Sequence, residues 1–315
     1  MYSYLLMKLA LFVGLGIVCA VYVGVLVTAV LRARRDGRET RVAPSLFELA
    51  LGFVTCFFDT LGIGSFAPTT AALKLRNLVA DEKIPGTLNV GHTLPTIAQA
   101  FIFIAIVAVD LKTLVLMIGA AVLGSWFGAG FVAGAPRRKI QIGMGFALLA
   151  AAALFLMKIY DLAPAGGEAQ GLAGWKLWAG LGGNFVLGAL MEVGVGLYAP
   201  CMILVSLLGM NPQTAFPIMM GSCAFLMPVG SVRFIRSQCY SLRTTLGLGL
   251  AGVPAVLIAA FLVKSLPLGA LRWLVVGVVL YAALSMLRSA VVEARTRAER
   301  AGAAEGVPEA APPAL

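Results

Sequence analysis

Uninterrupted apolar runs constrain this chain more than any other feature. Residues 9–31 and 141–157 contain no charged side chain, and about 20 such residues suffice to cross the roughly 30 Å hydrocarbon core of a bilayer as a helix. Composition agrees. Of the 315 residues, 60% are hydrophobic and 12% charged, against roughly 45–50% and about 25% in soluble domains. The sequence therefore predicts an all-α polytopic membrane protein surrounded by membrane lipid.

The formal net charge of +10 comes mostly from Arg and Lys in short loops between the runs, where such residues set orientation. No basic face with interleaved aromatics accompanies them, so no nucleic-acid partner is expected. Cys19, Cys56, Cys201, Cys223 and Cys239 show no metal or disulfide spacing and read mostly as small packing residues. No ATP-binding motif is present, and no cofactor or metal is expected. The first run is too long for a signal h-region and Val18 before Cys19 does not suit lipoprotein processing, so no cleavable signal is expected. Residues 295–315, rich in Ala, Glu, Pro and Gly, are expected to be disordered.

The apolar segments fall at approximately 4–31, 44–60, 84–111, 112–136, 140–160, 173–193, 211–235, 242–266 and 269–294. Two pieces between them are too short to span, since 66–73 offers about 12 Å of helix and 198–210 about 20 Å. An internal repeat accounts for both. LGIGSFAP at 61–68 matches VGVGLYAP at 193–200 at an offset of 132. Pro85, Pro95 and Pro136 match Pro217, Pro228 and Pro267 at offsets of 132, 133 and 131. In transporters such duplication leaves two related bundles around one site.

Arg32, Arg34, Arg35, Arg38 and Arg41 place the first loop in the cytoplasm and the N-terminus outside. With 44–80 as a re-entrant hairpin from the cytoplasmic side, Arg137, Arg138 and Lys139 fall inside. Arg233, Arg236 and Arg243 follow them, as do Arg295, Arg297 and Arg300 near the cytoplasmic C-terminus, while Lys264 and Arg272 fall outside. Segment 173–210 becomes a hairpin from the outer side. Each half is then a broken-helix hairpin plus three transmembrane helices, an odd number of crossings, so the two repeats are inverted. The expected division is 1–43 as an extra N-terminal transmembrane helix with a basic loop, 44–160 as the first repeat, 161–172 as a linker, 173–294 as the second repeat and 295–315 as the tail. The first helix has two open roles, simple anchoring or formation of a homodimer.

Irregular backbone at membrane depth persists only where it is buried in protein or lines a cavity. Gly62 and Gly64 let the chain turn and admit a ligand close to the backbone. Pro68 suits the first turn of a new helix, and Thr69 and Thr70 add hydroxyls. Gly194, Gly196 and Pro200 repeat the arrangement, with Cys201 after the proline. Two half-helix N-termini converging near the membrane centre would bind an anion. A lone Gly-x-Gly is more often close helix packing, but two copies at broken segments favour the site.

PGTLNVGHTLP (85–95) and PIMMGSCAFLMP (217–228) each end in a proline that frees the carbonyl four residues back, Gly91 and Ala224. Asn89, His92, Thr93 and Ser222 lie where they could face the same cavity. The alternative for each is an interhelical hydrogen bond, which is the favoured reading for Thr93 and Ser222. His92, the only histidine, is a candidate for substrate binding or proton handling. Asp59 and Glu192 are acids inside apolar runs, each just before a Gly-x-Gly. They sit one position out of register, because Asp59 pairs with Met191 in the repeat. Intramembrane acids default to functional hypotheses, here proton coupling, against a fixed hydrogen bond or ion pair.

The paired glycine-to-proline turns, the second proline-kinked segment in each half and the near-132 repeat resemble the TauE/SafE sulfite exporter family of membrane transporters. The resemblance covers about residues 44–292. It implies a secondary transporter that moves a small sulfur-containing or organic anion, such as sulfite or a sulfonate, across the cell inner membrane by alternating access. Where family members often carry a glycine triplet in the first turn, this chain has Ser65 and Phe66, which places Ser65 on a bulkier rim of the expected pocket. Two rivals remain. A passive anion channel would ignore both a pH gradient and Asp59→Asn. A membrane-embedded hydrolase needs facing carboxylates or several His ligands, which one histidine and two poorly matched acids do not supply.

Overall fold

A computed structural model describes residues 2–35, 43–162, 166–194 and 196–262, with isolated positions at 280, 284, 287, 288 and 291. The tail, Arg38, Arg41, Lys264, Pro267, Arg272 and nearly all of the expected 269–294 span lie outside these residues. The described residues are helical and form no strand. The helices are α1 (Tyr2–Arg35), α2 (Leu46–Thr60), α3 (Phe66–Leu75), α4 (Ile84–Ile106), α5 (Leu111–Ala133), α6 (Arg137–Ile159), α7 (Gly174–Met191), α8 (Tyr198–Leu207), α9 (Ala215–Arg236) and α10 (Leu242–Leu262). Among them α1, α4, α5, α9 and α10 contain stretches long and apolar enough to cross a membrane.

Local chemistry sets the boundaries. A reciprocal cap opens α2, where the Ser45 hydroxyl accepts from the Glu48 N–H at 3.3 Å and the Glu48 carboxylate accepts the Ser45 N–H at 2.7 Å. This satisfies two donors that the first turn leaves over. The chain leaves α2 through Gly62 at φ +80 and leaves α7 through Gly194 at φ +100, a left-handed conformation that favours glycine. The short helices α3 and α8 are each ten residues, roughly 15 Å, and their bounds differ by 132 at both ends. Pro68 and Pro200 sit in their first turns, where a helix has no use for the missing N–H. A 3-10 turn precedes α4 (Asp81–Lys83) and another precedes α9 (Pro212–Thr214).

Glycines let the helices close on one another. A side chain at Gly52 would meet Leu248 Cα at 2.6 Å, one at Gly247 would meet Glu48 Cβ at 2.7 Å, and one at Gly252 would meet Cys56 Sγ at 2.7 Å. Positions 48, 52 and 56 thus climb α2 as positions 247, 248 and 252 climb α10, so the two helices run parallel. The same happens between α5 and α7, where Gly124 lies on the Phe185 carbonyl, Gly188 on Ala121, and Asn184 Nδ2 donates to the Met117 carbonyl at 2.7 Å. In contrast α4 and α9 run antiparallel. Gly86 abuts Phe234 and Cys239, Thr93 meets Ser231 at 3.2 Å, and Gly221 lies near Ile104.

These contacts trace the path of the two broken segments. Glu48 accepts from Thr244 at 2.8 Å while the Ser241 N–H donates to Thr87 at 3.0 Å. The chain therefore enters α2 and returns from α3 at one end of the bundle. At the other end, the Leu172 N–H donates to Thr113 at 3.0 Å, the Asp110 N–H to the Gln170 carbonyl at 2.8 Å, and the Asn211 N–H to the Ala169 carbonyl at 2.8 Å. There the chain enters α7 and returns from α8. Helix α9 is the most enclosed of the five long apolar helices, with 78% of its apolar window buried, and α1 the least, with 17%. Leu5, Leu9, Val13, Ile17, Val21 and Leu31 lie exposed along α1, as expected of a helix that faces lipid.

Candidate site at the meeting of the two broken segments

The turn between α2 and α3 meets the turn between α7 and α8 in the middle of the bundle. They enclose a cavity of about 20 Å³. Its wall is built in pairs: Asp59 and Met191, Gly64 and Gly196, Ser65 and Leu197, Phe66 and Tyr198, each pair 132 residues apart in the chain. Thr96 from α4 and Cys223 from α9 complete it. Ser65 and Leu197 are the N-cap residues of α3 and α8, so two helix N-termini border the space. A volume near 20 Å³ accommodates about one water molecule, so an oxyanion the size of sulfite does not fit in this conformation.

Asp59 is held from both halves of the chain. Gln99 Nε2 donates to Asp59 Oδ2 at 2.9 Å and to Thr60 Oγ1 at 3.0 Å. The Tyr198 hydroxyl, from the other half, donates to Gln99 Oε1 at 2.6 Å. Asp59, Thr60 and Gln99 are all buried, so this network sits in a low-dielectric setting where an unpartnered member is costly.

Other residues singled out in the sequence lie nearby without lining the cavity. His92 bridges α2 and α3, with Nδ1 3.2 Å from Cys56 Sγ and Nε2 3.1 Å from Thr69 Oγ1, and its ring is 5.8 Å from that of Phe66. Thr70 Oγ1 is buried without a hydrogen-bond partner. Asn89 Nδ2 donates to the Pro85 carbonyl at 3.1 Å and its Oδ1 has no partner. Thr93 donates to the Asn89 carbonyl at 2.6 Å. Ser222 accepts from Asn184 at 3.0 Å, an interhelical bond. Cys201 is a buried free thiol in the first turn of α8. Gly62, Gly194, Pro68 and Pro200 shape the turns from behind.

Glu192 occupies a separate buried place. Ser125 Oγ on α5 donates to its Oε1 at 2.6 Å, and its Oε2 has no hydrogen-bond partner. Gly230 on α9 leaves room for it, because a Cβ there would stand 2.6 Å from both carboxyl oxygens. Arg233 supplies a nearby positive charge and stacks over Trp126 at 4.2 Å. Among the described residues no group of three or more His, Cys, Asp and Glu side chains is arranged to hold a metal ion.

Sequence reasoning missed Gln99, Tyr198, Thr96, Cys223 and Ser125. Two of them carried a signal. Gln99 is the lone amide in the apolar stretch 97–107, and Tyr198 is the partner of Phe66 in the repeat. Thr96, Cys223 and Ser125 look like any small residue in a membrane helix. Comparison of the chain with protein families, curated proteins and solved structures returns no match.

Proposed function

We propose that the chain is a secondary transporter for a small anion, working by alternating access between two inverted halves in the cell inner membrane. The substrate class proposed is that of the TauE/SafE family, a sulfur-containing or organic anion such as sulfite or a sulfonate. The observation that carries this reading is the cavity built from four residue pairs 132 apart, where the two glycine-to-proline turns meet. A site on the axis relating two repeats is exposed to one side or the other when the halves rock. The antiparallel packing of α4 on α9 and the return of the two broken segments to opposite ends support the inversion.

Asp59 gives the mechanism a direction. A carboxylate in the wall repels an anion strongly at low dielectric, so the anion enters together with a proton that neutralises Asp59. The N-termini of α3 and α8 then supply N–H groups and positive dipole ends to the anion. Gln99 and Tyr198 hold the carboxyl in place across the interface of the halves. The small volume of the cavity favours a carrier in a closed conformation over a passive channel, whose path would stay open. Uptake into proteoliposomes of sulfite, sulfate, thiosulfate, sulfoacetate and acetate tests the reading. Saturable flux selective among these anions is expected, and no flux for any of them would sink it.

A further inference from the structure

A second cavity lies away from the site where the two turns meet. It measures about 760 Å³ and opens between the end of α1 and the ends of α9 and α10. Three cations from three separate elements line it: Arg32 in the last turn of α1, Lys83 in the 3-10 turn before α4, and Arg236 at the last residue of α9. No acidic side chain is among its described lining residues. Below Arg32 the wall is mostly apolar, with Ala29 and Val25 one and two turns earlier on α1 and Leu242 on α10 facing the same space, while the Thr28 hydroxyl between them donates to the Val25 carbonyl at 2.7 Å. Seven residues of helix place Val25 about 10 Å deeper than Arg32.

We propose that this cavity binds the phosphate of an anionic phospholipid, with the acyl chains running down the Val25 and Ala29 face of α1. Basic pockets between transmembrane helices at the surface recognise such headgroups. The mostly apolar α1 wall decides between sources of the phosphate, because a free oxyanion gains nothing from about 10 Å of such surface, whereas a lipid tail does. Such a lipid would fasten α1, which buries only 17% of its apolar window, to the rest of the bundle. The inference does not depend on the transport reading.

Native mass spectrometry of the detergent-purified full chain tests it with phosphatidylglycerol, phosphatidylcholine and inorganic phosphate as probes. The wild type should retain phosphatidylglycerol in preference to phosphatidylcholine, and millimolar inorganic phosphate should not displace it. Arg32→Gln/Arg236→Gln should weaken retention roughly 25-fold, from about fivefold for each surface cation removed. Arg32→Lys/Arg236→Lys, which keeps the charge, should retain the lipid. Arg138→Gln/Lys139→Gln removes the same charge from exposed positions on α6 and should change little. Equal loss in that control, or retention unaffected by the pocket variant, would overturn the proposal. So would displacement by inorganic phosphate, which would give the pocket to a soluble anion, or failure of the wild type to retain phosphatidylglycerol.

Discussion

Asp59 and Glu192 are both buried acids beside a Gly-x-Gly, yet they keep different company. In the repeat, Thr60 corresponds to Glu192 at an offset of 132; Thr60 Oγ1 accepts from Gln99, while the Glu192 carboxyl packs on Gly230. One half sets a short hydroxyl against a long amide, and the other sets a long carboxylate against a glycine. Gly230→Ala is therefore expected to destabilise the protein by about 1–3 kcal/mol through overpacking on the Glu192 carboxyl, read as a fall in melting temperature in detergent. Gly24→Ala, where a side chain meets nothing within 4 Å, should leave the melt unchanged. The repeat made both turns legible, and Asp59 stands out as an acid inside an apolar run. The repeat did not reveal Gln99, because the partners of Gln99 are Asp59, Thr60 and Tyr198, 40, 39 and 99 residues away, and no local pattern encodes such a meeting.

Glu48 carries a pH-dependent contact at the start of α2, outside the long spans. Burial pushes its carboxyl up, but hydrogen bonds from Ser45 and Thr244 and the Arg243 guanidinium, with Nε 3.1 Å away, outweigh burial and leave it below the usual carboxylate range. A depressed carboxyl contributes its stability above the unfolded pKa and loses it as pH falls through the folded value. Melting temperature should therefore fall as pH is lowered from about 7 toward about 3, and Glu48→Gln should remove part of that slope. An unchanged slope in the variant would show that other carboxyls dominate.

Each broken segment packs on a long helix of the opposite half: α2 on α10 and α7 on α5. The contacts are made through glycines, so Gly52→Leu and Gly188→Leu should both disrupt folding, as judged by loss of the monodisperse peak in size exclusion. Gly16→Leu, on the α1 face that meets nothing, should elute normally. If Gly52→Leu alone failed, the two interfaces would not be equivalent. Helix identity and the short lengths of α3 and α8 were readable from apolar run lengths and from the prolines in step. The exchange of segments between halves was not. A small residue announces that something lies close to it without saying what.

The charge pattern of the whole chain implies a topology. Arg138 and Arg243 should face the cytoplasm and Lys112 and Lys176 the outside. Single cysteines at these four positions, in a chain with its native cysteines replaced, can be labelled in intact cells with a membrane-impermeant maleimide. Labelling at 112 and 176 alone is expected, and labelling at 138 or 243 would contradict the orientation. Coupling of a proton to anion passage through Asp59 is tested in proteoliposomes. Anion flux would be measured with and without an imposed pH gradient for the wild type and Asp59→Asn. Flux driven by the gradient is expected in the wild type, and flux insensitive to it in the variant. Flux that responds to the gradient equally in both, or ignores it in both, would contradict a coupling role for Asp59.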